Sequence, residues 1–214
     1  MKINLTLGDT QLIISKAKEK GILRNQLAYL LATALWETAH TMKPVKEAFW
    51  LSEAWRKKNL RYYPWYGRGY VQLTWEENYK KAQNILKLGD QLTKNPEKVM
   101  EPEVSADILI VGSKDGWFRK GQTLDKYITL QKSDFFGARE IINGDKNYKK
   151  DGQKIGDIIA GYAKQYDRLL KSAGYGEIPD DRYGDLELEK ATPKTNYSWL
   201  DKVIAVLTLL FRRK

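Results

Sequence analysis

The stretch NQLAYLLATALWETAH, residues 25–40, constrains the fold most. It has helical length and stays apolar on every side until Glu37. A helix that is hydrophobic all round belongs inside a domain. Asn25 stands at its start as the expected N-cap. The remaining periodic segments supply partners for it. Residues 9–20 predict a helix with Ile13, Ile14 and Ala17 on one face. Residues 46–57, KEAFWLSEAWRK, predict another. EPEVSADILIVGSKDG and SDFFGAREIING predict two more, ending near residues 116 and 144. KIGDIIAGYAKQYDRLLKSAG carries Ile155, Ile158, Ile159, Tyr162, Tyr166 and Leu169 at helical spacing.

Composition narrows the chemistry. The chain has 214 residues, enough for one domain with a sizeable core. It has no Cys, and His40 is its single histidine. Metal binding and thiol or imidazole nucleophiles are therefore not expected, nor is any cofactor. Chemistry has to rest on carboxylates, hydroxyls and amides. The net charge of +10 favours an anionic partner: nucleic acid, a membrane surface or an anionic polymer. The opening MKINLTLGDTQ contains no apolar core of a signal peptide. No run reaches the length of a membrane span. A monomer is expected.

The segment YYPWYGRGYVQLTWEENY, residues 62–79, interrupts the helical pattern. Its glycines lack the third member of a dinucleotide loop, and no apolar strand precedes them. Tyr70, Val71 and Leu73 hint at a short strand. Thr74 and Glu77 fit a capping box opening a helix to about Leu88. Gly67 and Gly69 would let the backbone pass close to a ligand. Arg68 would brace a carboxylate, and the rings, Tyr66 among them, would offer faces to sugars. A polysaccharide cleft would account for these features together. Glycoside hydrolysis needs a carboxylic acid on the leaving oxygen and a second carboxylate across the bond. Glu37 is the natural acid, because a carboxylate ending an apolar helix is costly to bury unless paired or protonated. Glu47 and Glu53 are both candidates for the second carboxylate.

GRGYVQLTWEENY closely resembles the signature of family 19 glycoside hydrolases. That family includes chitinases and a branch of phage and prophage endolysins that cut peptidoglycan. WET at 36–38 resembles its acid motif, and AREIING at 138–144 resembles a third block. The resemblance spans roughly residues 25–170. Where the family continues the acid motif with glycines, this chain reads ETAHTM. The resemblance implies a mainly α, lysozyme-like domain: helical, two-lobed, with a small β element lining a cleft. It implies Glu37 as general acid, Glu47 rather than Glu53 as general base, and Thr74 as the hydroxyl holding the attacking water. Gln72, Asn78 and Asn143 match amides that contact sugar. The implied reaction inverts the anomeric configuration.

The functional expectation is an endolysin-type muramidase acting on peptidoglycan glycan strands, with chitinase as the alternative. A nucleic-acid binder leaves Glu37 and the 67–79 motif without a role. Chitin is uncharged, whereas peptidoglycan carries peptide carboxylates that suit a cationic enzyme. The expected localisation is synthesis in a host cytoplasm and action on the wall after release through a membrane lesion. Residues 1–176 form the expected catalytic domain, and 177–196 a polar linker. Residues 197–214 predict an amphipathic helix. Its stripe includes Trp199, Leu207 and Phe211, and Arg212, Arg213 and Lys214 follow. That helix either meets anionic lipid or lipopolysaccharide at a membrane interface, or packs back on the domain.

Overall fold

The computed structural model describes residues 3–176. The expectations for the 177–196 linker and the 197–214 helix, with Trp199, Leu207, Phe211, Arg212, Arg213 and Lys214, lie outside the described residues.

Helix α2 (Arg24–Glu37) is the axis of the fold, preceded by α1 (Thr10–Glu19). Every residue of α2 from Gln26 to Leu35 is buried. The expected cap is displaced, since Asn25 lies inside the helix. Its Nδ2 donates to Thr129 O at 2.7 Å and Ser133 Oγ at 2.8 Å. Gln26 closes the end instead, accepting from Leu23 N–H at 3.2 Å. A long-range partner outcompetes a local cap here.

After α2 come β1 (Val45–Lys46), α3 (Glu53–Asn59), β2 (Arg68–Gly69), α4 (Glu76–Ile85), α5 (Gln91–Lys94) and α6 (Pro102–Asp115). Then follow α7 (Leu124–Tyr127), α8 (Phe135–Ala138), a 3-10 turn at Arg139–Ile141, the strands β3 (Lys149–Lys150) and β4 (Gln153–Lys154), and α9 (Ile155–Ser172). Helix α9 packs along α2 and buries Ile159, Ala163, Tyr166 and Leu170, a stripe at helical spacing. Helix α6 covers part of α1 and α2. Among the described residues the sheets are two antiparallel pairs: Val45 opposite Gly69 and Lys46 opposite Arg68, and Lys149 opposite Lys154 and Lys150 opposite Gln153. The architecture is mainly α with small β elements, as expected.

Three local expectations change. The helix expected over 46–57 begins only at Glu53, capped by Ser52 Oγ accepting from Trp55 N–H at 3.2 Å. Residues 45–46 pair with β2 instead, and Ala48 takes a φ of 48°, which breaks the helix. The strand hinted at by Tyr70, Val71 and Leu73 sits at Arg68–Gly69. The Thr74–Glu77 capping box does not form. Thr74 Oγ1 donates back to Gln72 O at 2.8 Å, and α4 starts at Glu76.

Candidate active site

Glu37 ends α2, and its neighbour is a residue from far along the chain. Arg139 donates from Nη1 to Glu37 Oε1 at 2.5 Å. The same guanidinium grips Asp145, with Nε to Oδ1 at 2.6 Å and Nη2 to Oδ2 at 2.9 Å. Only 2% of the Arg139 side chain is exposed, against 17% for Glu37 and for Asp145. Burial opposes the Arg139 charge. The Asp145 hydrogen bonds and the two carboxylate charges outweigh it and hold the guanidinium pKa above its ordinary value. Glu37 is thus the paired case of the two that burial allows.

The backbone after Glu37 takes the conformations that glycines would adopt freely. Ala39, His40 and Met42 have φ of 49°, 67° and 53°. Eight non-glycine residues among those described have positive φ. Six of them, Ala39, His40, Met42, Ala48, Gln72 and Trp75, fall in the segment that carries Glu37, Glu47 and Thr74. Sparsely populated conformations cost of order 1–3 kcal/mol each and cluster at functional sites. The ETAHTM departure keeps a glycine-like path without the glycines.

Glu47 follows β1 and is held by the facing loop. Its Oε1 accepts from Tyr62 O–H at 2.6 Å and its Oε2 from Gly67 N–H at 2.9 Å. Its own N–H donates to Gly67 O at 2.7 Å. A Cβ at Gly67 would meet Gln72 Oε1 at 2.8 Å and Glu47 Oε2 at 3.3 Å, so a side chain there would push on both groups. Burial first, then the hydrogen bond to Glu47, pushes the Tyr62 phenol up to about 12. Tyr62 therefore stays a donor across ordinary pH. Arg56 fixes the same turn from below, donating to Glu47 O and Ala48 O at 2.8 Å each.

Glu53 has different partners. It accepts from Tyr66 O–H at 2.9 Å and pairs with Arg56 at 3.2 Å. The structure gives Glu53 the bonds of a loop brace and gives Glu47 the backbone N–H of the glycine loop.

Two expected substrate contacts are corrected. Arg68 is 2% exposed, and its Nε and Nη2 both reach Glu97 Oε1, at 3.1 and 2.9 Å. Its Nη1 donates to Pro64 O and to Tyr79 O–H. Glu97 also takes Lys46 at 2.8 Å, so one carboxylate ties both residues of a cross-strand pair. Arg68 thus braces a structural carboxylate, not a candidate catalytic one. Tyr66 is fully buried beneath the Arg68 guanidinium, 3.6 Å from its ring centroid. The nearest neighbour a Cβ on Gly69 would meet is the protein itself, Ser105 Oγ at 2.5 Å. The exposed rings nearby are Trp50 and Phe49, 5.2 Å apart and edge-on, with Trp55 and Trp75.

The amides lie where the loop needs them. Gln72 Nε2 donates to Val45 O at 2.9 Å, and Asn78 Nδ2 to Thr74 O at 2.7 Å. Asn143 is exposed and donates to Asp145 Oδ2 at 3.2 Å, beside the Arg139 pair. Gln72, Thr74, Gly67 and Glu47 form one connected group. Glu37, Arg139, Asp145 and Asn143 form another. Sequence reading missed Arg139 and Asp145, although Arg139 stands inside the AREIING block. A charged residue among apolar neighbours at buried spacing, with an acid six positions on, was the available signal.

No family model and no curated protein matches this chain. A fold likeness covers 69% of this chain and 60% of the other: the crystal structure of chitinase C from Streptomyces griseus HUT6037, with a TM-score of 0.50 and 22% identity. The chain thus spans less than two thirds of that chitinase. What the likeness carries is the fold, and this chain has the mainly helical, lysozyme-like fold of a chitinase.

Proposed function

We propose that this protein is a glycoside hydrolase of muramidase type. Its substrate is the β-1,4 bond between N-acetylmuramic acid and N-acetylglucosamine in peptidoglycan, and its role is that of an endolysin. The observation that carries this reading is the pairing of Glu37 with a buried Arg139 that also holds Asp145. Two carboxylates share one guanidinium, so Asp145 still balances Arg139 in the step for which Glu37 carries the catalytic proton. The Arg139 bond uses Oε1, leaving Oε2 to deliver that proton to the leaving oxygen.

Glu47 supplies the second carboxylate. A water beside it donates one hydrogen to Glu47 and the other to Thr74. Thr74 already donates its own proton to Gln72 O, so its oxygen can only accept from that water. The water oxygen attacks the anomeric carbon as the bond to the leaving oxygen breaks. Glu47 takes the water proton, Glu37 gives up its own, and the configuration inverts. The Trp50, Phe49 and Trp75 rings offer apolar faces for sugars on the same segment.

Two features favour peptidoglycan over chitin. The net charge of +10 suits an anionic polymer, and a lysine hairpin meets Trp36, the residue before the acid. The test compares turnover of purified sacculi with that of colloidal chitin. Cleavage of sacculi at a rate well above that of chitin supports the reading. Faster release of sugar from chitin would favour the chitinase alternative.

A further inference from the structure

The β3–β4 hairpin reaches Trp36, the residue before Glu37, through Lys150 and has no part in the chemistry proposed above. All four paired residues, Lys149, Lys150, Gln153 and Lys154, are exposed. Among the described residues no carboxylate pairs with Lys149, Lys150 or Lys154, while the neighbouring Lys146 is paired with Glu140 at 3.3 Å. Three ammonium groups on one short hairpin, none paired with a carboxylate among the described residues, repel each other and gain from an external anion.

The hairpin is fixed in place. Ile155 N–H donates to Tyr148 O at 2.8 Å and Gly156 N–H to Lys146 O at 3.0 Å, closing its base. Lys150 Nζ lies 4.9 Å from the centre of the Trp36 ring, and Trp36 adjoins Glu37 in α2. Lys154 Nζ lies 5.8 Å from the Phe136 ring. The segment enters the hairpin directly from Asp145, the second carboxylate on Arg139. Through Trp36 and Asp145 the hairpin is tied to the same end of α2 as the acid.

We propose that Lys149, Lys150 and Lys154 form an anion-reading subsite for the stem-peptide carboxylates of peptidoglycan. The proposal rests on the muramidase reading for its substrate. In that polymer the muramic acid at the scissile bond carries the peptide on its lactyl group. Carboxylates thus arrive within one sugar of Glu37, at the end of α2 that Lys150 reaches. Chitin presents a free 3-hydroxyl there and no charge. The subsite selects the polymer, and the carboxylates at Glu37 and Glu47 cut it.

The experiment measures binding of the Glu37→Gln protein, which leaves the polymer intact, to Gram-negative sacculi. One batch is untreated. In the other, carbodiimide coupling with methylamine has capped the carboxylates as neutral amides. The expected result is about tenfold tighter binding to untreated sacculi, the weight of three solvent-screened ion pairs. Adding Lys149→Ser, Lys150→Ser and Lys154→Ser should collapse that preference to about twofold or less. A second variant, Lys149→Ser with Lys154→Ser, spares the Lys150 contact with Trp36 and should lose most of the preference with an unchanged melting curve. Equal binding to the two batches overturns the proposal. So does a triple variant that keeps the preference, or one that loses affinity for both batches alike. If the preference holds while the parent enzyme cleaves no glycan, the subsite stands and the muramidase reading fails.

Discussion

Arg139 Nη1 lies 2.5 Å from Glu37 Oε1, although 102 positions separate the two residues. The contact joins the end of α2 to the turn before the lysine hairpin and places the candidate acid against a buried cation. Arg139→Met should leave Glu37 and Asp145 as uncompensated carboxylates facing each other. A loss of about 3–5 kcal/mol in unfolding free energy is expected, the usual result of breaking one side of a buried pair. Arg139→Lys should destabilise less, yet a single ammonium cannot reproduce the fork that holds both acids. Urea melts of the two variants check this. An unchanged midpoint for Arg139→Met would contradict the structural role.

The choice between Glu47 and Glu53 is open to direct measurement. Glu47→Gln should lower turnover by on the order of a hundredfold or more, the scale of removing a general base. Glu53→Gln should leave turnover near normal and alter mainly the melting temperature, since its partners are Tyr66 and Arg56. Tyr62→Phe removes one donor from Glu47 and should reduce turnover by about tenfold, the weight of one hydrogen bond to a charged group. Proton NMR at early times should find the product with inverted configuration, the outcome of a water activated by Glu47. Product with retained configuration would replace the water with a covalent route.

The reach of the sequence reading follows from the range of each interaction. Helices α2 and α9 were legible because burial imposes its period on every residue, and Glu37 stood out as the charge ending an apolar run. The small pairing of β1 with β2 was not, since Val45 and Lys46 look like the start of a helix and their partners lie beyond α3. Arg68 announced a carboxylate but not which one, and Glu97 lies 29 positions on. Thr74 carried a cap pattern that Gln72 O outcompeted. Arg139 was inside a quoted motif, yet its function depends on Glu37 in another helix. Local propensity cannot show such a partner.

His40, the single histidine, makes the pH dependence unusually clean. Burial, then the Lys150 charge, lowers its pKa from the ordinary 6.5. The unfolded chain therefore binds more protons than the folded one in that window. The associated stability is fully present above pH 6.5 and is lost as pH falls toward the depressed folded value. Lys150→Ser should raise the His40 pKa part of the way back, because the burial effect remains. An NMR titration of the one imidazole reads both values, and an unmoved His40 would place Lys150 elsewhere than over Trp36.

The tail expectation has a separate test. Truncation after residue 196 removes the Trp199–Phe211 stripe and the Arg212, Arg213, Lys214 cluster. Turnover on isolated peptidoglycan should persist, while binding to anionic vesicles and lysis of intact Gram-negative cells should fall. Loss of activity on bare peptidoglycan would instead make the tail part of the catalytic domain.

The central claim is that Glu37 drives cleavage of the glycan at muramic acid. The most direct measurement digests purified sacculi with the parent protein and with Glu37→Gln, reduces the products with borohydride and identifies the new ends by mass spectrometry. The account predicts muramitol ends from the parent and a loss of at least about a hundredfold in the folded Glu37→Gln variant. Glucosaminitol ends, or undiminished cleavage by Glu37→Gln, would contradict it.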